Sequence, residues 1–471
     1  MPVLPRRLAL IYRYSYSLGR NFRAMRLLPC LPLLLLASAC VPLGTPITNP
    51  DLPASRQQSA APAAATTLRY QDYIYDPSVR SVQCYVASST ANVTAVLGPP
   101  IVPLSQDQPI VLEFDVLSQE APRLTAKLIN CDINWQPSVL TDLQFLNEIN
   151  EFNLTNYRTS INTKVPYYHY ALTVPRVKLS GNYLLVVQNQ RGASVLSRRL
   201  LVYENQVAVS LQQGVVAGGV DARYAYQQLN FAINYGAVEL LNPVSEVKVV
   251  LRQNFRWDNA HYNLRPTFVR DAERVLEYQY INYENAFPGL SEYRYFDARS
   301  LQANGLGVAR LLRQGNPVQI ELLEEATRGG LAYNQYEDAN GQRVFENREF
   351  GNGEINGDYA LVSFNLKAPQ PAPGPVYILG ALSDWQLKDE FRMTYDSLRQ
   401  RYTGRALLKQ GYYNYSYAVA PKVAGAAPNE IYFEGTHTET ENNYDLLVYY
   451  RPPGSRTDLL IAYQTLDLNK R

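Results

Sequence analysis

Catalytic chemistry has little to work with in this sequence. Its 471 residues hold three histidines, four cysteines and three tryptophans. No nucleophile-and-base pair, metal-ligand spacing or phosphate-binding glycine loop accompanies them. No metal or cofactor is therefore expected, and the chain reads as an interaction protein rather than an enzyme. Charge is sparse too: 18% of residues are charged against 46% hydrophobic, which suits a folded chain and excludes a disordered one. The first 39 residues carry six arginines and no acid, and beyond them 38 basic residues face 42 acidic ones, a net of −4. A mildly acidic chain without a basic run offers no electrostatic footprint for nucleic acid and no polybasic membrane patch.

What is plentiful is tyrosine, at 37, and proline, at 30. Such a composition favours short strands and turns over long helices, and the length allows about two to four domains. At the N-terminus, Arg23 and Arg26 precede an apolar run from Leu27 to Leu36, then Ala37-Ser38-Ala39 and Cys40. This is a secretory signal too short to span a membrane, with Met1 or Met25 as its start. A cysteine directly after small residues resembles a bacterial lipobox, with Ala37 where the ideal pattern has leucine, so Cys40 is the expected lipid attachment site. From Val41 to about Thr67 the chain is rich in Pro, Ala, Ser and Thr without apolar periodicity, which describes a tether.

The expected fold is all-β: tandem antiparallel immunoglobulin-like or early-set β-sandwiches, with a short helical insert in the first. The expected order is signal peptide 1–39, lipid-anchored tether 40–67, N-terminal sandwich 68–205, middle sandwich 206–366 and C-terminal early-set sandwich 367–471. Alternation marks strands at Val82–Val86, Ile110–Val116, Leu124–Ile129 and Tyr183–Val187 in the first of these. Leu140, Leu143, Leu146 and Ile149, behind Ser138 as N-cap, mark the helical insert. Pro369 to Pro375 reads as the clearest linker. Cys84 and Cys131 lie in apolar strand contexts, which makes buried thiols the default, with a bridge between them open in an oxidising compartment. Asp338-Ala339-Asn340-Gly341 reads as a hairpin turn rather than a calcium loop, because no bidentate glutamate follows at the required spacing.

The stretch that organises the chain is Cys131-Asp132-Ile133-Asn134-Trp135-Gln136-Pro137-Ser138, followed by Ser160 to Thr163 and Tyr167-Tyr168-His169-Tyr170. Gln253 to Ala260, Glu292 to Leu301 and Phe433 to Pro452 continue it. In that order these segments resemble the type IX secretion system plug protein family, with departures at Ile133-Asn134 and Tyr168. The resemblance implies a non-catalytic periplasmic protein. It would bind the outer-membrane translocon barrel of that system and seal the idle pore, held through Cys40 to lipid at the inner leaflet of the outer membrane. It singles out Asp132, Trp135, His169, Arg256, Trp257, Arg294 and Arg299 as motif or partner-binding residues. Read physically, Trp135 and His169 are core-edge residues, while Arg256, Asp258, Arg294, Asp297 and Arg299 form a buried charge network with Trp257. A two-carboxylate glycosidase pairing of Asp258 with Asp297 stays open beside that reading. The alternative function is a glycan-binding envelope lipoprotein. It would use Trp385, in a segment resembling the opening of early-set starch-binding modules, and the alternating Tyr413, Tyr415 and Tyr417.

Overall fold

The computed structural model describes residues 67–87, 97–216, 218–423 and 425–470. The signal peptide, Cys40 and the tether up to residue 66 lie outside them. The described chain is mostly antiparallel β-sheet in several sandwich-like layers, and its longest helix is the six-residue Val220–Ala225. Three pairings are parallel: Ile101–Pro103 on Ser194–Tyr203, and both Val318–Leu322 and Glu325–Ala326 on Tyr359–Lys367.

The first sandwich places Val79–Val86, Ile110–Val116, Tyr168–Thr173 and Tyr157–Thr159 over a six-stranded sheet that includes Leu124–Cys131, Gly181–Asn189 and Ser194–Tyr203. Strand Gly181–Asn189 is buried from Gly181 through Val187, which alternation alone does not explain. Tyr183, Leu185 and Val187 enter the sandwich core, whereas Leu184 and Val186 join a second apolar layer with Val250, Leu447 and Tyr449. A strand reads as continuously apolar when both of its faces are covered. Here the second cover is the sheet of Val247–Gln253, Asn442–Tyr450 and Leu459–Leu468.

That sheet forms the second sandwich with Ala208–Gly214, Tyr226–Asn234, Phe268–Arg270, Val275–Tyr278 and Ala286–Pro288. Strand Val247–Gln253 pairs with Asn442–Tyr450 along its whole length, from Val247 opposite Tyr450 to Gln253 opposite Tyr444. The boundary expected at 366/367 is thus not where the sheets divide. The second sandwich is completed by the last strands of the chain, and the third unit is inserted between its two parts.

The third unit also departs from the expected sandwich. Its ten-stranded sheet runs from Arg294–Asp297 through Gly411–Val419 and Tyr359–Lys367 to Val308–Leu312. Large twisted sheets of this size tend to curl. Here the ends meet, with the Asp297 amide donating to the Leu306 carbonyl at 2.9 Å, and Phe296, Val308, Val362 and Tyr413 share one core. The closure leaves no room at Gly307: φ is +75° and a Cβ would sit 2.8 Å from the Tyr295 oxygen. The unit is a nearly closed barrel. The proline-rich stretch lies within it, with the Ala372 amide donating to Tyr402 Oη and the Ala420 amide to the Pro375 carbonyl. It is a loop between two strands of one sheet, not a linker.

The helical insert shrinks to Asp142–Phe145. Thr141, not Ser138, starts it, donating its amide to Gln144 Oε1 at 2.8 Å. Leu146 leaves the helix to bridge to Val177, and only Phe145 and Leu146 are buried while Leu143 and Ile149 face solvent. A strict three-residue repeat drifts around a helix with 3.6 residues per turn, so the leucines never shared one face.

Interleaving has a direct consequence for truncation. A fragment of residues 67–366 lacks Asn442–Tyr450 and Leu459–Leu468, so it should show the melting of the first sandwich only and bind a hydrophobic dye. A second cooperative transition in that fragment, followed by circular dichroism, would overturn the interleaved layout.

Candidate functional site

The motif residues meet where the sheets meet. In the turn after Cys131, Asp132 Oδ1 accepts the amides of Asn134 and Gln136, each at 2.9 Å. This Asx-type turn places Trp135 at φ +61° and buries its indole. On the second sandwich, Asn254 and Phe255 both adopt positive φ, at +53° and +58°, turning the chain so that Arg256-Trp257 enters the same junction. Asn254 is fixed by Asn442 and Asn443 at 2.7–2.9 Å. Trp135 and Trp257 pack edge to face with centroids 5.1 Å apart, although 122 positions separate them in sequence.

Guanidinium groups complete the stack. Arg199 lies 4.4 Å from the Trp135 ring and 5.1 Å from Trp257, and donates to the Tyr70 carbonyl. Arg252 lies 4.1 Å from Trp257 and holds Asp445 in a bidentate pair. Arg256 is 2% exposed; it binds both Asp258 oxygens at 3.0 and 2.7 Å, approaches Glu430 at 2.6 Å and stacks 4.2 Å from Trp385. Burial pulls the Arg256 pKa down, but the two carboxylates outweigh it and hold the value well above the usual arginine range. All three tryptophans of the chain therefore pack against buried arginines at neighbouring junctions.

A second fastening joins the first sandwich to the barrel. Asp115, fully buried mid-strand, accepts from His169 Nδ1 at 2.8 Å and from Tyr359 Oη and Lys409 Nζ at 2.7 Å each. Nearby, the Lys164 and Val165 amides donate to Asp358, Asn162 donates to Asn356, and the Tyr167 hydroxyl donates to the carbonyls of Glu354 and Gly357. The Asn162-Thr163 and Tyr-x-His-Tyr segments thus serve one contact.

Arg294 and Arg299 stand apart from these junctions and from each other, so the five charges expected to form one network form three. Arg294 pairs with Glu434 and Glu325, and Glu434 also accepts from Arg328 and the Tyr417 amide. Arg299 binds Asp297 and Glu346, with Arg348 also at Asp297. Burial pushes Asp297 up, yet its hydrogen bonds to Arg299 and the charges of Arg299 and Arg348 bring it below the usual carboxylate value. That is the wrong direction for a glycosidase acid.

Cys84 and Cys131 are free thiols, and burial pushes each up to about 12. The Asp338–Gly341 segment is a turn, with Asp338 Oδ1 accepting the Asn340 amide at 2.6 Å and positive φ at Asn340 and Gly341. Among the described residues no group of three or more potential ligands is placed for a metal ion. Tyr413, Tyr415 and Tyr417 fill the barrel core and present no face to a sugar. Between the three units lies a cavity of about 700 Å³, reached by Asp72 and Arg199 of the first, Trp257 of the second, and Arg343, Asp384 and Trp385 of the third.

Sequence reasoning missed Arg199, Arg252, Asp115, Lys409 and Asp445. Each is a charge directly beside apolar residues of its strand, as in Val-Leu-Ser-Arg-Arg-Leu-Leu and Tyr-Asp-Leu-Leu-Val. That pattern is the available signal, because a charge is rarely buried unless it is paired.

Residues 79–204 match the family model described as "Type 9 secretion system plug protein 1st domain". The structure is similar to a crystal structure of a hypothetical protein from Parabacteroides merdae ATCC 43184. The TM-score is 0.79 at 26% identity, over 85% of this chain and 100% of that one. A search of curated proteins returns no match.

The junction charges give a pH test. Burial pushes Asp384 up, but Arg198, Lys388 and Arg343 together hold it well below the usual carboxylate value. A depressed folded pKa adds stability above the unfolded value of about 3.9, lost as pH falls through the folded value. Asp384→Asn should cost roughly 3–5 kcal/mol near pH 7 by leaving buried cations unpaired. Between about pH 4.5 and 2 its denaturation midpoint should fall less steeply than that of the wild type. Parallel wild-type and variant curves would refute this assignment.

Proposed function

We propose that this chain is a non-catalytic periplasmic plug of the type IX secretion system, binding the outer-membrane translocon barrel and sealing its pore when idle. The observation that carries this reading is the match of residues 79–204 to the plug first domain, which spans nearly all of the first sandwich. The architecture supports it. Asp115, His169, Asp258, Asp297, Glu430 and Glu434 are committed to ion pairs between or within units, and the stacked sheets form a stiff body suited to obstruct a pore. On this reading the first two units are immunoglobulin-like sandwiches, divided near residue 205. Asp132, Trp135, His169, Arg256, Trp257, Arg294 and Arg299 contribute by fixing the body's shape, and contact with the barrel falls to exposed side chains. The aromatic residues named for the glycan-binding alternative do not support it: its tyrosines are core residues, and the Trp385 ring packs against Arg256.

Placement at the inner leaflet of the outer membrane, through a lipid on Cys40, belongs to the same proposal. Cys40→Ala should release the protein into the soluble periplasmic fraction; an unlipidated, soluble wild type would remove the anchor from the proposal. The protein should co-purify with the barrel from detergent-solubilised outer membrane. Its deletion should raise vancomycin sensitivity while leaving secreted-protein levels largely intact, because an open aqueous pore conducts solutes whether or not cargo is moving. Unchanged permeability together with no barrel in the pull-down would defeat the plug reading.

A further inference from the structure

The cavity between the three units has an uneven charge balance. On one wall, Asp384 is shared among Arg198 at 3.2 Å, Lys388 at 2.7 Å and Arg343 at 3.9 Å. Asp72 accepts the backbone amide of Arg199 at 2.7 Å, and the Arg199 guanidinium makes no ion pair among the described residues. Counting Lys388, which pairs with Asp384 from outside the cavity lining, four cations share two carboxylates here among the described residues, a local excess of two positive charges. The other arginines lining the cavity differ: Arg252 is bidentate with Asp445, and Arg256 has both Asp258 and Glu430. Burial pulls the pKa of both Arg199 and Arg343 below the usual arginine value, the opposite of what their paired neighbours show. A guanidinium kept from water without a full counter-charge is costly, and an anion placed beside it offsets that cost.

Another part of the lining has the other sign. Asp338 and Glu441 line it, with Lys470 as the cation of the lining not yet counted, and burial raises the Asp338 carboxyl to about 7, so it holds a proton for part of the time near neutrality. A ligand acidic at both ends is disfavoured there, whereas hydroxyl or amide donors are accepted.

We propose that this cavity is a binding site for a small anionic molecule, with one carboxylate or phosphate held by Arg199 and Arg343 and a hydrogen-bond-donating body toward Asp338 and Glu441. The volume, about 700 Å³, is in the usual range for small-molecule sites and holds a molecule of sugar-acid or sugar-phosphate size. Arginine forks recognise either oxyanion bidentately. A ligand seated there touches all three units at once, so occupancy should stiffen their mutual arrangement.

The test is titration calorimetry on the full chain with glucuronate, glucose 6-phosphate and inorganic phosphate, with glucose as the neutral control. At least one sugar anion should bind about tenfold or more tightly than glucose and raise the melting temperature, and 0.5 M salt should weaken it. Glucuronate against glucose 6-phosphate separates carboxylate from phosphate as the preferred group. Arg343→Gln should lose at least about tenfold in affinity. Should that variant not fold, the wild type still decides the matter: the bound anion should protect Arg199 and Arg343 from phenylglyoxal, read by peptide mass spectrometry. Sugar anions that bind no better than glucose, or arginines labelled equally with and without them, would overturn the proposal. Barrel co-purification is read separately, so the two proposals fail independently.

Discussion

The structure depends on burying arginine at places where sheets meet. A guanidinium removed from water must find carboxylates, carbonyls or aromatic faces, and each choice constrains direction as well as distance. Arg199 between Trp135 and Trp257, Arg252 over Trp257 with Asp445, and Arg256 over Trp385 with Asp258 and Glu430 link strands from all three units. Around them the apolar layer of Leu184, Val186, Val250, Leu447 and Tyr449 supplies the burial. The layer attracts without direction; the arginines choose the angle and register.

Chain connectivity reinforces the same constraint. The barrel is inserted in the second sandwich, so it hangs from two chain crossings rather than one. One lies between Pro288 and Arg294 and the other between Glu434 and Asn442. Both are cross-linked: the Thr436 and Ser291 hydroxyls donate to the carbonyls of Ala225 and Glu434, and Asn442 donates to the Gly289 carbonyl. Gly289 itself has no room for a side chain, since a Cβ would lie 1.9 Å from the His437 oxygen. A doubly tethered insertion with packed crossings moves far less than beads joined by single linkers.

Much of the fold was legible because strand periodicity is local. Ile110–Val116 and Leu124–Cys131 show the expected alternation, and the strands fall where the pattern puts them. Strand order is not local, and there the reading failed. The pairing of Val247–Gln253 with Asn442–Tyr450 spans nearly 200 positions, and a proline-rich loop inside the barrel looked like a linker because composition does not report where a loop's ends are held. The motif residues were visible as motifs, but their partners were not. Trp135 gave no hint of Trp257, and Asp115 passed as one polar position in an alternating strand although it anchors three donors from two units.

Why the junctions are ionic rather than purely apolar follows from what sheets are. Two flat apolar faces can stack at several angles and offsets with similar burial, so apolar packing alone leaves the arrangement underdetermined. Replacing a buried ion pair by apolar groups often costs nothing in stability, whereas breaking one by misplacing a partner costs several kcal/mol, roughly 3–5. The pairs therefore act less as glue than as a penalty on every arrangement but one. Asp115 shows the scale of it, since any slip between the first sandwich and the barrel strands Lys409 and a carboxylate together in a dry interior. For a body proposed to occlude a pore, shape at the scale of whole units matters more than net stability, because a hinge between units opens a gap that no amount of interface energy elsewhere can close.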